Sequence, residues 1–509
     1  MDIQITMKIL RFIIYVLIIL MATPFLLVHY GPPGVATTSK VALHALVGYG
    51  GDEPDADLVR QQLHVADGFR LNLYASGLGK IRFLRTTEAG DILLSRPRTG
   101  DVLMLTRDAN QDGFPDDVRV LLSGLTRPHG MDILDGWLYI AESNAVGKIG
   151  FNVESGEVNG DYIRIIEGLG DKGNHWTKTL RAGPDGWMYL SSGSTCNVCE
   201  EDDPQRATIM RFKPDGSELS VYATGLRNSV GMDWAPWSNE LFATDNGRDL
   251  LGDDFPPCEL NNIVAGGFYG WPYINASTPD PDFGAKLPSD ATANRPPTFE
   301  FNAHNAPLGI TFLEHSKRAG FDRSALVALH GSWNRSIPDG YKVVVLDWQT
   351  DGTVTERDFV TGFLQGGKLL GRPVDVAEAS DGSIYISDDY SGSVYRVDVA
   401  DDSQSSVSLP NPVPQLVASV DVLGAYNSAE LRSVSAQGKQ LYDQFNCFSC
   451  HEQKIGKPLI NLHESYNVAS LADFFSAPTP PMPAFPLNAD EREALAVYLF
   501  DHELNNNQK

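Results

Sequence analysis

The sequence predicts a mainly β protein: a six-bladed β-propeller followed by a small all-α domain, with a hydrophobic helix at the N-terminus. Three observations carry this: a short apolar strand that recurs six times, a polar linker near residue 400 beyond which the pattern turns helical, and an uncharged N-terminal run. The strand copies are GDILLS from Gly90, GWLYIAES from Gly136, GWMYLSSGS from Gly186, NELFATDNG from Asn239, SALVALHGS from Ser324 and GSIYISDD from Gly382. Their central residues Ile92, Leu138, Met188, Leu241, Leu326 and Ile384 stand 46, 50, 53, 85 and 58 residues apart. Four-stranded blades of about 40–50 residues fit these spacings, with one long insertion before the fifth copy. Most copies are trailed by a second strand, as in TGDVLML, VGKIGF and SGSVYRV, and a sandwich would show no such period. The propeller is placed at residues 60–400, a linker in the stretch DDSQSSVSLPNPVPQ and on through 401–427, and the helical domain at 428–509.

Composition supports the β assignment and narrows the partners. With 47 Gly, 31 Pro, 18 Tyr and 23 Phe in 509 residues, the chain is rich in turn and strand formers. Its 65 acidic against 40 basic residues give a net charge of -25. That field opposes nucleic acid and anionic lipid headgroups as partners.

Residues 1–35 stand apart. Lys8 and Arg11 precede an uncharged run of seventeen residues from Phe12 to Val28, rich in Ile, Leu and Val. Basic residues before the run and none for some distance after it read as an export signal, favoured as an uncleaved anchor over a cleaved signal peptide. The remainder is expected outside the cytoplasm, at the periplasmic face of a bacterial inner membrane, or in the periplasm if the segment is cleaved.

Cys447, Phe448, Ser449, Cys450 and His451 form C-x-x-C-H. Two thiols at that spacing bond the vinyl groups of a haem while the adjacent imidazole coordinates its iron, so haem c is expected. Met482, 31 residues beyond His451 in PTPPMPAFP, is assigned as the distal iron ligand, with His463 and His502 as alternatives. The final segment NADEREALAVYLFDHEL opens with Asn488 and Glu491 in capping-box spacing. Residues 428–505 resemble the small bacterial cytochrome c domains.

The other C-x-x-C, Cys196 to Cys199, is followed by Glu200, which excludes haem attachment, and a local disulfide is the favoured reading, leaving Cys258 unpaired. DANQDGFPDD sets Asp108, Asn110, Asp112, Gly113 and Asp116 at calcium-loop positions, but Arg119 occupies the twelfth; structural Ca²⁺ and a solvated acidic turn both stay open. No G-x-G-x-x-G follows a strand. A quinone cofactor with several carboxylates would need cations gathered at one mouth of the propeller, and Arg96, Arg98, Arg227, Arg248, Arg335, Lys342 and Arg372 recur beside the repeat strands.

The stretches HWTKTLRAGPDGWMYLSSGS, GLRNSVGMDW, ELNNIVAGGFYGWP, HNAPLGITF, HGSWNR and GRPVDV resemble the pyrroloquinoline quinone (PQQ)-dependent sugar dehydrogenases of the soluble glucose, sorbosone and pyranose dehydrogenase group, over residues 60–400. The resemblance implies a six-bladed propeller, as the repeats do. It implies His175 as the base that takes the substrate hydroxyl proton, Arg227 and Asn228 as residues lining PQQ, and the main-chain carbonyls of Gly247 and Arg248 as ligands of an active-site Ca²⁺. Arg335, Lys342 and Arg372 carry over less closely, because the spacing there departs from the glucose enzymes toward the sorbosone type. In that chemistry the imidazole removes the hydroxyl proton as hydride leaves the same carbon, and Ca²⁺ with an Arg stabilises the charge that develops.

The expected function is thus oxidation of a sugar or aldehyde with PQQ and Ca²⁺, electrons passing to the covalent haem and on to a downstream acceptor. A Ca²⁺-dependent lactonase-like propeller would leave the haem without purpose. A non-catalytic binding propeller would have no need of His175, Arg227 and Asn228.

Overall fold

A computed structural model describes residues 51, 53–289, 293–315 and 319–400, and in the C-terminal part 423, 426, 428–451, 459, 462, 466–476, 478, 482 and 485–506. The N-terminal hydrophobic run lies outside the described residues. No helix among them is long and apolar enough to cross a membrane.

The six predicted repeat strands are each the second strand of a four-stranded antiparallel blade: Ile92–Arg96, Trp137–Ala141, Met188–Ser192, Glu240–Asp245, Ser324–Leu329 and Ile384–Asp388. The first strands, Leu84–Thr86, Met131–Leu134, Leu180–Ala182, Ser229–Ala235, Pro307–Phe312 and Pro373–Glu378, each touch those of both neighbouring blades and so form a closed inner ring. Phe69–Ala75 precedes the first blade yet pairs with Ser393–Val399, supplying the outer strand of the sixth. The chain ends are thereby tied in one sheet, and no blade edge is left at the seam. The insertion that stretches the fourth spacing holds one short ladder, Ile274–Asn275 with Thr278–Pro279, and its Gly267–Phe268 adds a parallel edge to the third blade.

Side-chain alternation explains why the repeat strands read as unbroken apolar runs. Ile92 and Leu94 face the sixth blade, packing with Tyr385 and Val394, whereas Leu93 faces the second, packing with Leu138 and Ile140. Each strand is buried on both faces, so both parities must be apolar.

The inner ring is crowded, and its glycines follow from that. A Cβ on Gly130 would meet the Leu180 amide, one on Gly231 the Leu308 carbonyl, and one on Gly309 the Asp375 carboxylate. Carboxyl groups stitch neighbouring first strands. Arg85 pairs with Asp132 at 2.7 Å, and Asp132 accepts from the Ala182 amide; Asp233 accepts from Phe312 and Asp375 from Leu84. Burial raises the Asp375 carboxyl to about 8 and Asp233 to about 6. Above these, Phe83, Val230, Leu308 and Val374 form an apolar layer across the channel.

The C-terminal part is helical, as expected. Ser428–Gln444 crosses Ala489–Asn506 at Gly438, where a Cβ would collide with the Ala494 carbonyl. The expected capping pair is present: Glu491 N–H donates to Asn488 Oδ1 at 3.0 Å, and Asn488 N–H to Glu491 Oε2 at 2.8 Å.

Candidate functional site

Antiparallel strands alternate in direction, so two sets of loops emerge on one face of every blade: the segment before the first strand and the loop between the second and third. The first set brings Lys80 and Arg82, Arg127 and His129, His175 and Lys178, Arg227 and Asn228, His304 and Asn305, and Arg372 to one mouth of the channel. The second set includes 193–207, 246–257, 330–341 and 389–392.

His175 and Asn228 come together over Gly193, whose missing side chain makes the room: a Cβ there would lie 2.6 Å from His175 Cβ and 2.7 Å from Asn228 Oδ1. His175 Nδ1 lies 2.9 Å from Ser194 Oγ and 3.1 Å from the Ser194 carbonyl. The Ser194 hydroxyl donates to the Cys196 carbonyl, so its oxygen is left to accept from the ring. Both partners therefore select the Nδ1–H tautomer and leave Nε2 with a lone pair. Burial, then the nearby Arg227 charge, lowers the His175 pKa to about 3, so the ring is neutral at physiological pH. Arg206, buried, fixes the surrounding loops by donating all five N–H groups to the carbonyls of Gly193, Gly170, Lys172, His175 and Ser194. Arg227, also buried, uses four of its five: to the Asn197 carbonyl and Oδ1, the Asn246 carbonyl and Asp249. One Nη1–H is left.

Across the mouth, Asp389 accepts from Arg82 at 2.7 Å and from His330 Nε2 at 2.9 Å, and its carbonyl from Lys80. Burial and the Arg372 charge lower the His330 pKa to about 4. Arg372 donates to the His330 and Gly331 carbonyls. Lys80, Arg82, His330 and Asp389 were not picked out by sequence. The sequence repeat registers on the second strands, whereas Arg82 belongs to the residue pair before each first strand, where Arg227 and Arg372 also stand.

Three predicted cations are committed elsewhere. Arg96 is buried in a two-bond pair with Asp101, both at 2.7 Å. Lys342 sits on the third strand of the fifth blade and turns to Glu356 and Asp358 on the outer strand. Arg335 is tied to Asp254 and to the carbonyls of Asp253 and Ala303. Their charges are met by local carboxylates and carbonyls, whereas Arg82, Arg227 and Arg372 stand at the mouth with N–H groups left over.

A carboxylate-bearing quinone fits what remains. Arg227, Arg82 and Arg372 keep N–H groups with no partner among the described residues, the buried oxygens Asn305 Oδ1 and Asn334 Oδ1 are unmatched, and the apolar layer offers a floor for a flat ring. The Gly247 and Arg248 carbonyls accept no hydrogen bond among the described residues and are available to a cation; the Arg248 side chain is paired with Asp280 and Asp282.

The Asp108 loop is differently built. Asp108 accepts from the amides of Asp112 and Gly113, Asn110 from that of Asp112, Asp112 from Phe114, and Asp116 from Ala109. Its carboxylates do not converge on one point; among the described residues only Cys196, Cys199 and Glu201 do, and those cysteines form a disulfide. The loop holds its own turn with the side chains that would bind calcium. Cys258 is buried and unpaired.

In the helical domain His451 ends the short helix Phe448–His451, and Cys447 and Met482 pack against one apolar cluster with Leu441, Leu471 and Phe500. His502 stacks on Tyr498 at the exposed face. The Cys450 side chain and His463 lie outside the described residues.

A closed six-bladed ring with a cation-lined mouth and a neutral histidine, joined to a C-x-x-C-H domain, defines a quinone-dependent dehydrogenase type of propeller carrying a cytochrome c. The chain belongs to the TrAA12-like family, propellers of the PQQ-dependent sugar dehydrogenase kind, which matches residues 63–262 and 287–400. Residues 434–499 match the family of cytochrome C oxidase, cbb3-type, subunit III. An uncharacterized protein of Borreliella burgdorferi is 31% identical over 363 residues, 67% of this chain and 92% of that one. The pyrroloquinoline quinone-dependent pyranose dehydrogenase of Coprinopsis cinerea is 26% identical over 424 residues; the match covers 68% of this chain but only 56% of that enzyme. Its PQQ domain in the holo form superposes with a TM-score of 0.57 at 22% identity, covering 68% of this chain and 98% of that one. A calcium structure of the Trichoderma reesei family AA12 protein gives 0.56 at 22% identity, covering 67% and 97%.

Proposed function

We propose that the protein oxidises a sugar or related alcohol or aldehyde, of sorbosone or aldose kind, with PQQ and Ca²⁺, and passes the electrons to its own haem c. The observation that carries this is His175: a neutral ring with Nε2 bare, set beside Arg227 in a cation-lined mouth. PQQ, when bound, supplies the two-electron acceptor that side chains lack. Arg82, Arg227 and Arg372 would hold its carboxylates, and the Gly247 and Arg248 carbonyls would hold Ca²⁺. His175 Nε2 takes the substrate hydroxyl proton, and Nδ1–H stays on Ser194, so the ring accepts charge without rotating. Transfer within the chain is supported by the contact between domains: Asn467 Nδ2 donates to the Thr99 carbonyl, on a mouth-face loop of the first blade, and the Arg98 charge acts on neighbouring Tyr466. Residues 1–35 export the chain and hold it at the periplasmic face of the inner membrane, where a disulfide and c-type haem are both made.

The test is to load purified protein with PQQ and Ca²⁺ and follow haem absorbance while sugars and aldehydes are added. Haem reduction that requires both PQQ and an oxidisable substrate is expected. Haem that stays oxidised across the panel while PQQ is reduced defeats the intramolecular route; PQQ that is never bound defeats the whole reading.

A further inference from the structure

The loop closed by the Cys196–Cys199 disulfide touches both functional groups of the mouth. Asn197 Oδ1 accepts from Arg227 Nη2 and from the Asp249 amide, both at 2.8 Å, and its Nδ2 donates to the Asp249 carbonyl. The Asn197 carbonyl accepts from Arg227 Nε at 2.9 Å. One residue earlier, the Cys196 carbonyl takes the Ser194 hydroxyl at 2.8 Å, which leaves that oxygen to accept from His175. Next along, Thr195 is clamped by Glu201, through its amide and its hydroxyl, and its own carbonyl takes the Asn174 amide beside His175. The bridge joins residues three apart. A cross-link so short removes little chain entropy compared with a long one. Its effect is local: it holds the Cys196 carbonyl on the Ser194 hydroxyl that faces His175, and the Asn197 carbonyl on Arg227.

We propose that this disulfide-closed loop is the positioning element of the site, with Asn197 aiming the remaining N–H of Arg227 at the cofactor and Ser194, held by Cys196, fixing the tautomer of His175. The loop acts through these two residues and touches neither substrate nor reacting atoms. The assignment rests on the PQQ reading for what Arg227 binds, but not for the tautomer. Two measurements on the full-length protein separate the two.

In the first, PQQ is titrated into Ca²⁺-loaded apo-protein and followed by tryptophan fluorescence. Asn197→Ala removes the side-chain bonds and leaves the bridge. It is expected to weaken PQQ about tenfold or more, the range for a hydrogen bond to a charged group. Combined with Arg227→Ala it should add little further loss, because both changes remove one unit. The covalent haem spectrum and its potential should not move. In the second, ring ¹⁵N shifts of the apo-protein report the His175 tautomer without any cofactor, assigned by comparison with His175→Gln. The wild type should show Nδ1–H, and Cys196→Ser with Cys199→Ser should shift the signal toward a mixture that titrates nearer pH 6.5. An unshifted His175 signal in the opened loop, or additive PQQ losses in the Asn197 and Arg227 pair, overturns the proposal. If the wild type binds no PQQ, the cofactor reading falls by itself, and the ¹⁵N result still decides whether the loop positions His175.

Discussion

Ser194 Oγ stands 2.9 Å from His175 Nδ1 while donating its own proton to the Cys196 carbonyl, so the serine is an acceptor to the histidine and Nε2 is the basic atom. If Nε2 takes the proton, His175→Ala should keep cofactor and Ca²⁺ bound yet lose on the order of 10²- to 10⁴-fold in kcat. Stopped-flow spectra should show cofactor reduction slowed, with chemically reduced cofactor still feeding the haem at the wild-type rate. Cofactor reduction at an unaltered rate would make His175 structural.

The low His175 pKa has a sign in stability as well. With about 3 in the folded state and about 6.5 unfolded, the unfolded chain binds more protons between those values. The contribution is fully present above pH 6.5 and is lost as pH falls toward 3. His175→Gln should flatten that part of a stability-against-pH curve measured by denaturant unfolding, and turnover should show no inflection from His175 between pH 5 and 8.

The mouth cations differ in what they have left to give. Arg82→Gln and Arg372→Gln should each weaken PQQ binding about tenfold or more, whereas Lys342→Gln, whose ammonium already serves Glu356 and Asp358, should leave it within about twofold. Equilibrium titration of apo-protein checks this, and equal losses in all three would mean that only net charge matters.

For the haem, Cys447→Ala with Cys450→Ala should abolish the haem that otherwise survives acid denaturation. Met482→Ala should lower the midpoint potential and perturb the low-spin spectrum, because a thioether favours ferrous iron. A potential that does not move would redirect the sixth ligand to His463 or His502.

Gly309→Ala tests how the ring closes. The new methyl would stand where Asp375 of the next blade sits, so a loss of about 1–3 kcal/mol is expected from chemical denaturation. No such loss should follow Gly136→Ala beyond the strain of its positive φ, since nothing lies within 4 Å there.

The blades were legible because burial on both faces writes itself into local sequence: ILL, YIA and MYL are apolar at both parities wherever they occur. C-x-x-C-H was legible because thiol spacing is set by the haem, and the Asn488–Glu491 cap because it spans four residues. His175 and Asn228 are legible only through resemblance, whereas Arg227 also stands among the cations beside the repeat strands; each lies a few residues before a first strand. The Asp108 loop was legible as a tight acidic turn, and its local pattern goes no further, since a row of Asp and Asn suits a cation and a self-bonded turn equally.

Sequence by itself thus determined the repeat count, the two-part architecture and the haem motif, all of which depend on neighbours close along the chain. Only the tertiary structure decided which cations keep an N–H group to give. Arg96 and Arg372 look alike in sequence, yet Arg96 meets Asp101 across a hairpin while Arg372 meets two carbonyls and the Tyr341 ring of the preceding blade. Lys80 and Arg82 gain their places from Asp389, more than three hundred residues away. A charge is spent or spare according to what the closed ring brings against it, and ring closure is a long-range property that no local window contains.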